Sequence, residues 1–202
     1  MSRLNWPNRI TIARIVLVVP FVICLLNLNN GPVTWRYVSL MLFAVMASSD
    51  ALDGFLARRF HESTALGRFL DPVGDKLLVT SAMILLSVDA TAVHGFRLPS
   101  WVPVIAIGKD VLTVIGFWLA YAATGRFFIQ PRVLGKACTL VQSLMVGLTL
   151  SAPDWPGAAG RIVPLFWWLA SGLAVAALAD YLRIGIRFVS ENHQTDLPGG
   201  GI

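Results

Sequence analysis

Apolar residues gather in six long stretches separated by short polar segments: residues 10–26, 35–60, 70–88, 101–123, 133–151 and 162–188. Each approaches or exceeds the roughly 20 residues a helix needs to cross a bilayer. The connections hold helix breakers: Asn-Asn-Gly-Pro at 29–32, Leu-Pro-Ser at 98–100 and Ala-Pro-Asp-Trp-Pro-Gly at 152–157. The pattern predicts an all-α integral membrane protein with six transmembrane helices. Two stretches are not uniformly apolar: the first carries Arg14, and the fourth carries Lys109 and Asp110. The second turns polar in its latter half. Ahead of the first stretch, Leu4, Trp6, Pro7 and Ile10 read as an interfacial lead-in. The start shows no small-residue cleavage site of the kind that marks a removable signal peptide. Residues 1–190 form the membrane domain; 191–202, ending Leu-Pro-Gly-Gly-Gly-Ile, read as a disordered tail.

Composition narrows the class. Of 202 residues, 56% are hydrophobic and 13% charged, about half the charge of a soluble domain, and the mean hydropathy is +0.70. Disorder needs the opposite balance, and a soluble chain of this size could not bury so much apolar surface. Two cysteines, Cys24 and Cys138, both in apolar runs, do not make a disulfide scaffold. The net charge of +5 fits basic helix ends facing anionic lipid, not nucleic-acid binding. Its distribution sets the orientation. Arg3, Arg9, Arg58, Arg59, Arg68, Arg126, Arg132, Arg183 and Arg187 fall on one side; Arg36, Arg97 and Arg161 fall on the other. Both termini, and the segments 58–69 and 124–136, are therefore expected to be cytoplasmic.

Carboxylates inside apolar helices are costly and point to function. Asp50 and Asp53 lie in the second stretch, Asp71 and Asp75 at the start of the third. Their spacings of three and four put each pair on one helical face. Asp50 lies 15 residues beyond Trp35, about 22 Å along a helix, so all four carboxylates reach a similar depth near the cytoplasmic side. With no matching cations, such a cluster must hold protons or metal. Oxygen-only ligands suit Mg2+ or Mn2+, and paired ions are the usual device for phosphoryl and pyrophosphate chemistry. Gly54, Ala57 and Gly67 keep to the same faces and leave room for a ligand or a neighbouring helix. Arg58 is placed to grip a diphosphate. The plainer role for these aspartates is capping and ion pairing with Arg58, Arg59 and Lys76; four in so short a span weigh against it.

The run Asp50-x-x-Asp53-Gly54-x-x-Ala57-Arg58, eight residues, Gly67-x-x-x-Asp71-x-x-x-Asp75 resembles the signature of the CDP-alcohol phosphatidyltransferases at all its defining positions. The resemblance implies that an acceptor hydroxyl attacks the β-phosphorus of CDP-diacylglycerol and CMP leaves. It implies that Asp50, Asp53 and Asp71 hold metal, Mg2+ or Mn2+ as two ions. Asp75 would touch metal and serve as general base, a role that suits a crowded carboxylate of raised pKa. It further implies that Asp50, Gly54, Ala57, Arg58 and Gly67 bind CDP-diacylglycerol, and that the chain is a homodimer in a bacterial cell membrane with its site at the cytoplasmic face.

The acceptor is read from other residues. The opening Trp6-Pro7-Asn8-Arg9-Ile10-Thr11 with Arg14 resembles the start of the family's phosphatidylglycerophosphate synthases and of its eukaryotic-type cardiolipin synthases. Gly135-Lys136-x-x-Thr139-x-x-Gln142 resembles the fifth helix of the former. A phosphorylated acceptor wants a basic pocket, for which Lys136, Arg132, Arg68 and Lys109 are the candidates. Where the former usually carry Arg-Glu in the fourth helix, this chain has Lys109-Asp110, which keeps the charge order without the bidentate fork. Glycerol 3-phosphate is the first expectation and phosphatidylglycerol, as in cardiolipin synthesis, the second. A small cation transporter would spread its charges across the bilayer; here they cluster at one side.

Overall fold

A computed structural model describes the backbone over residues 6–60, 65–125 and 133–195, and the side chains there except at 6–11, 50–60, 65–73, 123, 188–189 and 191–195. Six long helices follow in order: α1 (Trp6–Leu26), α2 (Thr34–Phe60), α3 (Ala65–Ser87), α4 (Trp101–Thr124), α5 (Val133–Ser151) and α6 (Pro156–Thr195), with one 3-10 turn at Ala152–Asp154. The described residues contain no strand.

Trp101–Ala122, Val133–Asp154 and Pro156–Arg187 are long and apolar enough to cross a membrane, and Ile12–Leu26 is a shorter apolar helical stretch. With 27 and 23 residues, α2 and α3 are about 40 and 34 Å long. Charge, not length, sets them apart, because both carry the carboxylate segments.

Several boundaries differ from the sequence reading. The first helix already begins at Trp6, so the expected lead-in is largely helical; Pro7 is tolerated because the first turn has no use for its missing N–H. The third begins at Ala65, five residues before the apolar run. The sixth is 40 residues long, about 60 Å. Its early start packs Ala159 and Val163 against Phe96 and Trp167. At the other end it continues to Thr195, so residues 191–195, assigned above to the tail, are helical. No proline interrupts the chain between Pro164 and Pro198.

Among the described residues, α3 packs against α1, α2, α4 and α5, while α6 packs on α4 and α5. The main core joins Phe21 and Leu25 of α1, Phe43 and Met46 of α2, and Met83 and Leu86 of α3 to Met145 and Leu150 of α5. In a bilayer, where the surroundings are as apolar as these side chains, close packing and not removal from water holds them together. The core favours the end of the bundle where α1–α2, α3–α4 and α5–α6 are joined. The opposite end holds the last turns of α2 and α4 and the first turns of α3 and α5, and carries the carboxylate segments. These are called below the turn end and the site end.

Candidate active site

Asp75 is held by a residue from another helix. The Arg14 guanidinium, on α1, donates from Nη1 to Asp75 Oδ1 at 2.8 Å. The Arg14 side chain is 1% exposed and that of Asp75 26%. Next to Asp75, Gly74 faces α1, where a Cβ would stand in ordinary contact 3.4 Å from Ile15. The sequence noted Arg14 as the one charge in its span but gave it no partner. The premise that the carboxylates lack cations therefore fails at Asp75. A lone arginine in an apolar helix was itself the signal, since such a charge needs a partner.

A second cluster joins α3 and α4. Asp110 accepts from Lys109 Nζ at 2.7 Å and from Lys76 Nζ at 3.1 Å. Lys109, a candidate phosphate contact, is buried in this cluster and is absent from the lining of the cavity described next. Lys76, considered above only as an ion-pair partner of the aspartates, pairs instead with Asp110.

Between α2, α3 and α5 lies a cavity of about 790 Å³ lined at one end by Asp75, Lys76 and Lys136. Asp75 and Lys136 thus face one space although 61 residues separate them in sequence. Lys136 is exposed and has no ion-pair partner among the described residues. The fifth-helix motif is legible in its local packing. Gly135 admits the Tyr181 hydroxyl of α6, which would lie 3.0 Å from a Cβ there. Thr139 caps back onto the Gly135 carbonyl at 3.2 Å and also lines the cavity, while Gln142 is buried.

Of the remaining candidates, Asp50, Asp53, Gly54, Ala57, Arg58, Gly67, Arg68 and Asp71 lie on described helical backbone, with side chains outside the described residues. Arg132 lies outside them altogether. Among the described residues no three His, Cys, Asp or Glu side chains gather to hold a metal; three of the four signature aspartates were not open to that test. What is described fits a hard cation. α2 is continuous helix through Asp50 and Asp53, and α3 through Asp71 and Asp75, so each pair sits about one turn apart. The two helices touch, and the donors are all oxygen. A carboxylate can accept from several partners, so the Arg14 contact and metal ligation at Asp75 are compatible.

Comparison with known proteins identifies the family. A family model described as CDP-alcohol phosphatidyltransferase matches residues 4–179. A CDP-diacylglycerol–glycerol-3-phosphate 3-phosphatidyltransferase of Pseudomonas fluorescens is 34% identical over 182 residues, covering 89% of each chain. The protein of the same name from Escherichia coli K12 is 32% identical over 180 residues, 88% of this chain and 93% of that one. That of Bacillus subtilis is 33% identical over 159 residues, 72% and 76% of the two chains. With the eight signature positions in place, and the match running through all of α1 to α5 and most of α6, this chain belongs to the CDP-alcohol phosphatidyltransferase family.

Proposed function

We propose that the protein transfers the phosphatidyl group of CDP-diacylglycerol to glycerol 3-phosphate, giving phosphatidylglycerophosphate and CMP. The observation that carries this reading is the cavity that Asp75 and Lys136 share. A phosphorylated alcohol needs a base for its hydroxyl and, several Å away, a cation for its phosphate. Asp75 supplies the first and Lys136 the second, with Lys76 beside them. Arg14 neutralises Asp75, and Asp110 neutralises one of Lys76 and Lys109. Lys136, which lines the cavity and has no ion-pair partner among the described residues, offers its positive charge to an anionic substrate. The names of the relatives point to the same acceptor.

In the reaction, the acceptor oxygen forms a bond to the β-phosphorus, the bond to the CMP oxygen breaks, and Asp75 takes the hydroxyl proton. Arg14 holds the Asp75 carboxylate in place for that transfer. Gly54, Ala57, Arg58 and Gly67 take the CMP portion, and Arg68 and Arg132 assist Lys136. The family generally uses divalent metal ions; Asp50, Asp53, Asp71 and Asp75 would hold Mg2+ or Mn2+, which polarises the diphosphate.

All six helices cross the bilayer in this reading, with the site end and both termini cytoplasmic. Nine arginines against three support that orientation. An Arg126→Cys variant in intact cells should resist a membrane-impermeant thiol reagent added outside; labelling would reverse the topology.

The deciding assay measures CMP release from CDP-diacylglycerol in detergent with Mg2+ or Mn2+. Glycerol 3-phosphate, phosphatidylglycerol, serine and inositol phosphate are supplied in parallel. Glycerol 3-phosphate should be the best acceptor. A preference for phosphatidylglycerol would make the protein a cardiolipin synthase and overturn the Lys136 assignment.

A further inference from the structure

Asp110 is shared unequally between two lysines. Lys109 Nζ stands 2.7 Å from its carboxylate and Lys76 Nζ 3.1 Å, and the Lys109 side chain is 9% exposed where that of Lys76 is 50%. A buried cation keeps its counter-charge, because parting with it strands a charge in apolar surroundings. A half-exposed pair is held weakly, and a lysine is a point charge on a flexible stem. Lys109 is therefore the resident partner of Asp110, and Lys76 is the one able to leave. When Lys76 leaves, Lys109 still neutralises Asp110. Lys76 also lines the cavity that Asp75 and Lys136 share, whereas Lys109 and Asp110 do not.

The acceptor proposed above sets a charge problem. A phosphate monoester carries close to two negative charges near neutral pH, and Lys136 offers one positive charge. A phosphodiester carries a single negative charge and needs no more than Lys136. Building on the reading above, we infer that Lys76 is the second cation for the acceptor's phosphate, held on Asp110 until a dianion draws it into the cavity. Asp110 and Lys109 are then positioning residues: neither touches substrate, and together they set how readily Lys76 is released. The exchange trades one ion pair for another, so it is favourable only when the incoming group outbids a carboxylate that Lys109 already neutralises. A phosphomonoester, with two charges and three acceptor oxygens, does so; a diester or a neutral alcohol does not. The device selects phosphomonoester acceptors. It also accounts for a lysine beside the site, Lys109, that stays out of the cavity: its charge acts through Asp110.

The test uses the full-length enzyme in detergent with CDP-diacylglycerol and Mg2+ or Mn2+, at a pH of about 8, where a phosphate monoester is a dianion. It reads the KM for glycerol 3-phosphate and competition by inorganic phosphate, a dianion, and by dimethyl phosphate, a monoanion. Asp110→Asn releases Lys76 and should lower the KM about twofold to fivefold, the strength of a half-exposed pair. Lys109→Met leaves Asp110 to Lys76 alone and should raise the KM by about the same factor. Both shifts should fall on KM more than on kcat. Asp110→Asn strands the buried Lys109 and can cost the fold. Lys109→Met removes that buried cation for an apolar side chain of similar size, so it carries the test by itself if need be. Lys76→Met should raise the KM about tenfold and weaken competition by inorganic phosphate in step, with dimethyl phosphate moving within about twofold. In the Lys76→Met background, Asp110→Asn should change the KM no further. A pair that merely pins α3 to α4 would lower thermal stability in every variant. KM shifts of one sign in Asp110→Asn and Lys109→Met, or no shift in Lys109→Met, overturn the inference while the functional reading stands. A wild type that releases no CMP with glycerol 3-phosphate overturns both.

Discussion

At the turn end, Arg36 of α2 donates to both carboxylate oxygens of Asp154, at 2.8 and 2.5 Å, and to the Leu150 carbonyl at 2.9 Å. The Tyr37 hydroxyl donates to the same carboxylate at 2.8 Å. Nearby, Asn29 donates to the Ala90 and Ala92 carbonyls at 3.2 and 3.1 Å, and Arg97 pairs with Asp89. At the site end, Arg14 meets Asp75 and two lysines share Asp110. Both ends use the same residue types, but their surroundings differ. Turn-end charges join loops to helix starts around a packed core. Site-end charges come from α1, α3, α4 and α5, and some of them line a space. An ion pair that closes a turn contributes to the fold, whereas the Arg14–Asp75 pair also fixes a carboxylate that lines a cavity.

Substitutions can break that contrast. The largest effect is expected from Asp75→Asn, which removes the base and spares much of the metal shell. Turnover should fall by about 10²–10⁴ while CMP still binds with metal, as measured by CMP release and equilibrium binding. A variant working at half the wild-type rate would sink the role. Next comes Lys136→Ala, which should raise the acceptor KM about tenfold to a hundredfold, the loss of a charge-assisted contact. The KM for CDP-diacylglycerol should barely move. If Lys136 met only lipid headgroups, both constants would stay put.

Arg14→Met removes the partner of Asp75. Here kcat should drop about tenfold, and Arg14→Lys should recover part of it, because a lysine restores the charge without the fork. A loss of thermal stability with unchanged kcat would make Arg14 a packing residue like those of the turn end. The smallest kinetic effect is expected from Arg36→Leu. That variant should melt at a lower temperature in detergent, since it leaves Asp154 with only Tyr37. Its KM values and kcat below the melting range should match wild type. A changed acceptor KM would show that the two ends are coupled and dissolve the distinction.

Much of this was legible in local spacing. Helices reveal themselves by apolar runs of spanning length, and the signature reveals itself because residues three and four apart meet on one helical face. The fifth-helix stretch around Lys136 was readable for the same reason. Helix ends were less legible. The polar first turns of α3 and the last turns of α6 lack the apolar pattern that marks a span, yet the backbone continues because nothing in the sequence stops it. Lys109 shows the limit most clearly. Its charge made it a candidate phosphate contact, and the packing of α4 on α3 places it buried against Asp110.

The sequence by itself thus determined an all-helical membrane protein, the family and the carboxylates of its signature, all properties of neighbours along the chain. The tertiary structure alone decided that Arg14 meets Asp75 across 61 residues, that Lys76 turns to Asp110, and that Asp75 and Lys136 share one cavity. The physical reason is that periodicity tells which face of a helix is special, but not which helix that face will meet. That choice rests on close approaches such as Gly135 against Tyr181, where a small residue lets particular helices touch.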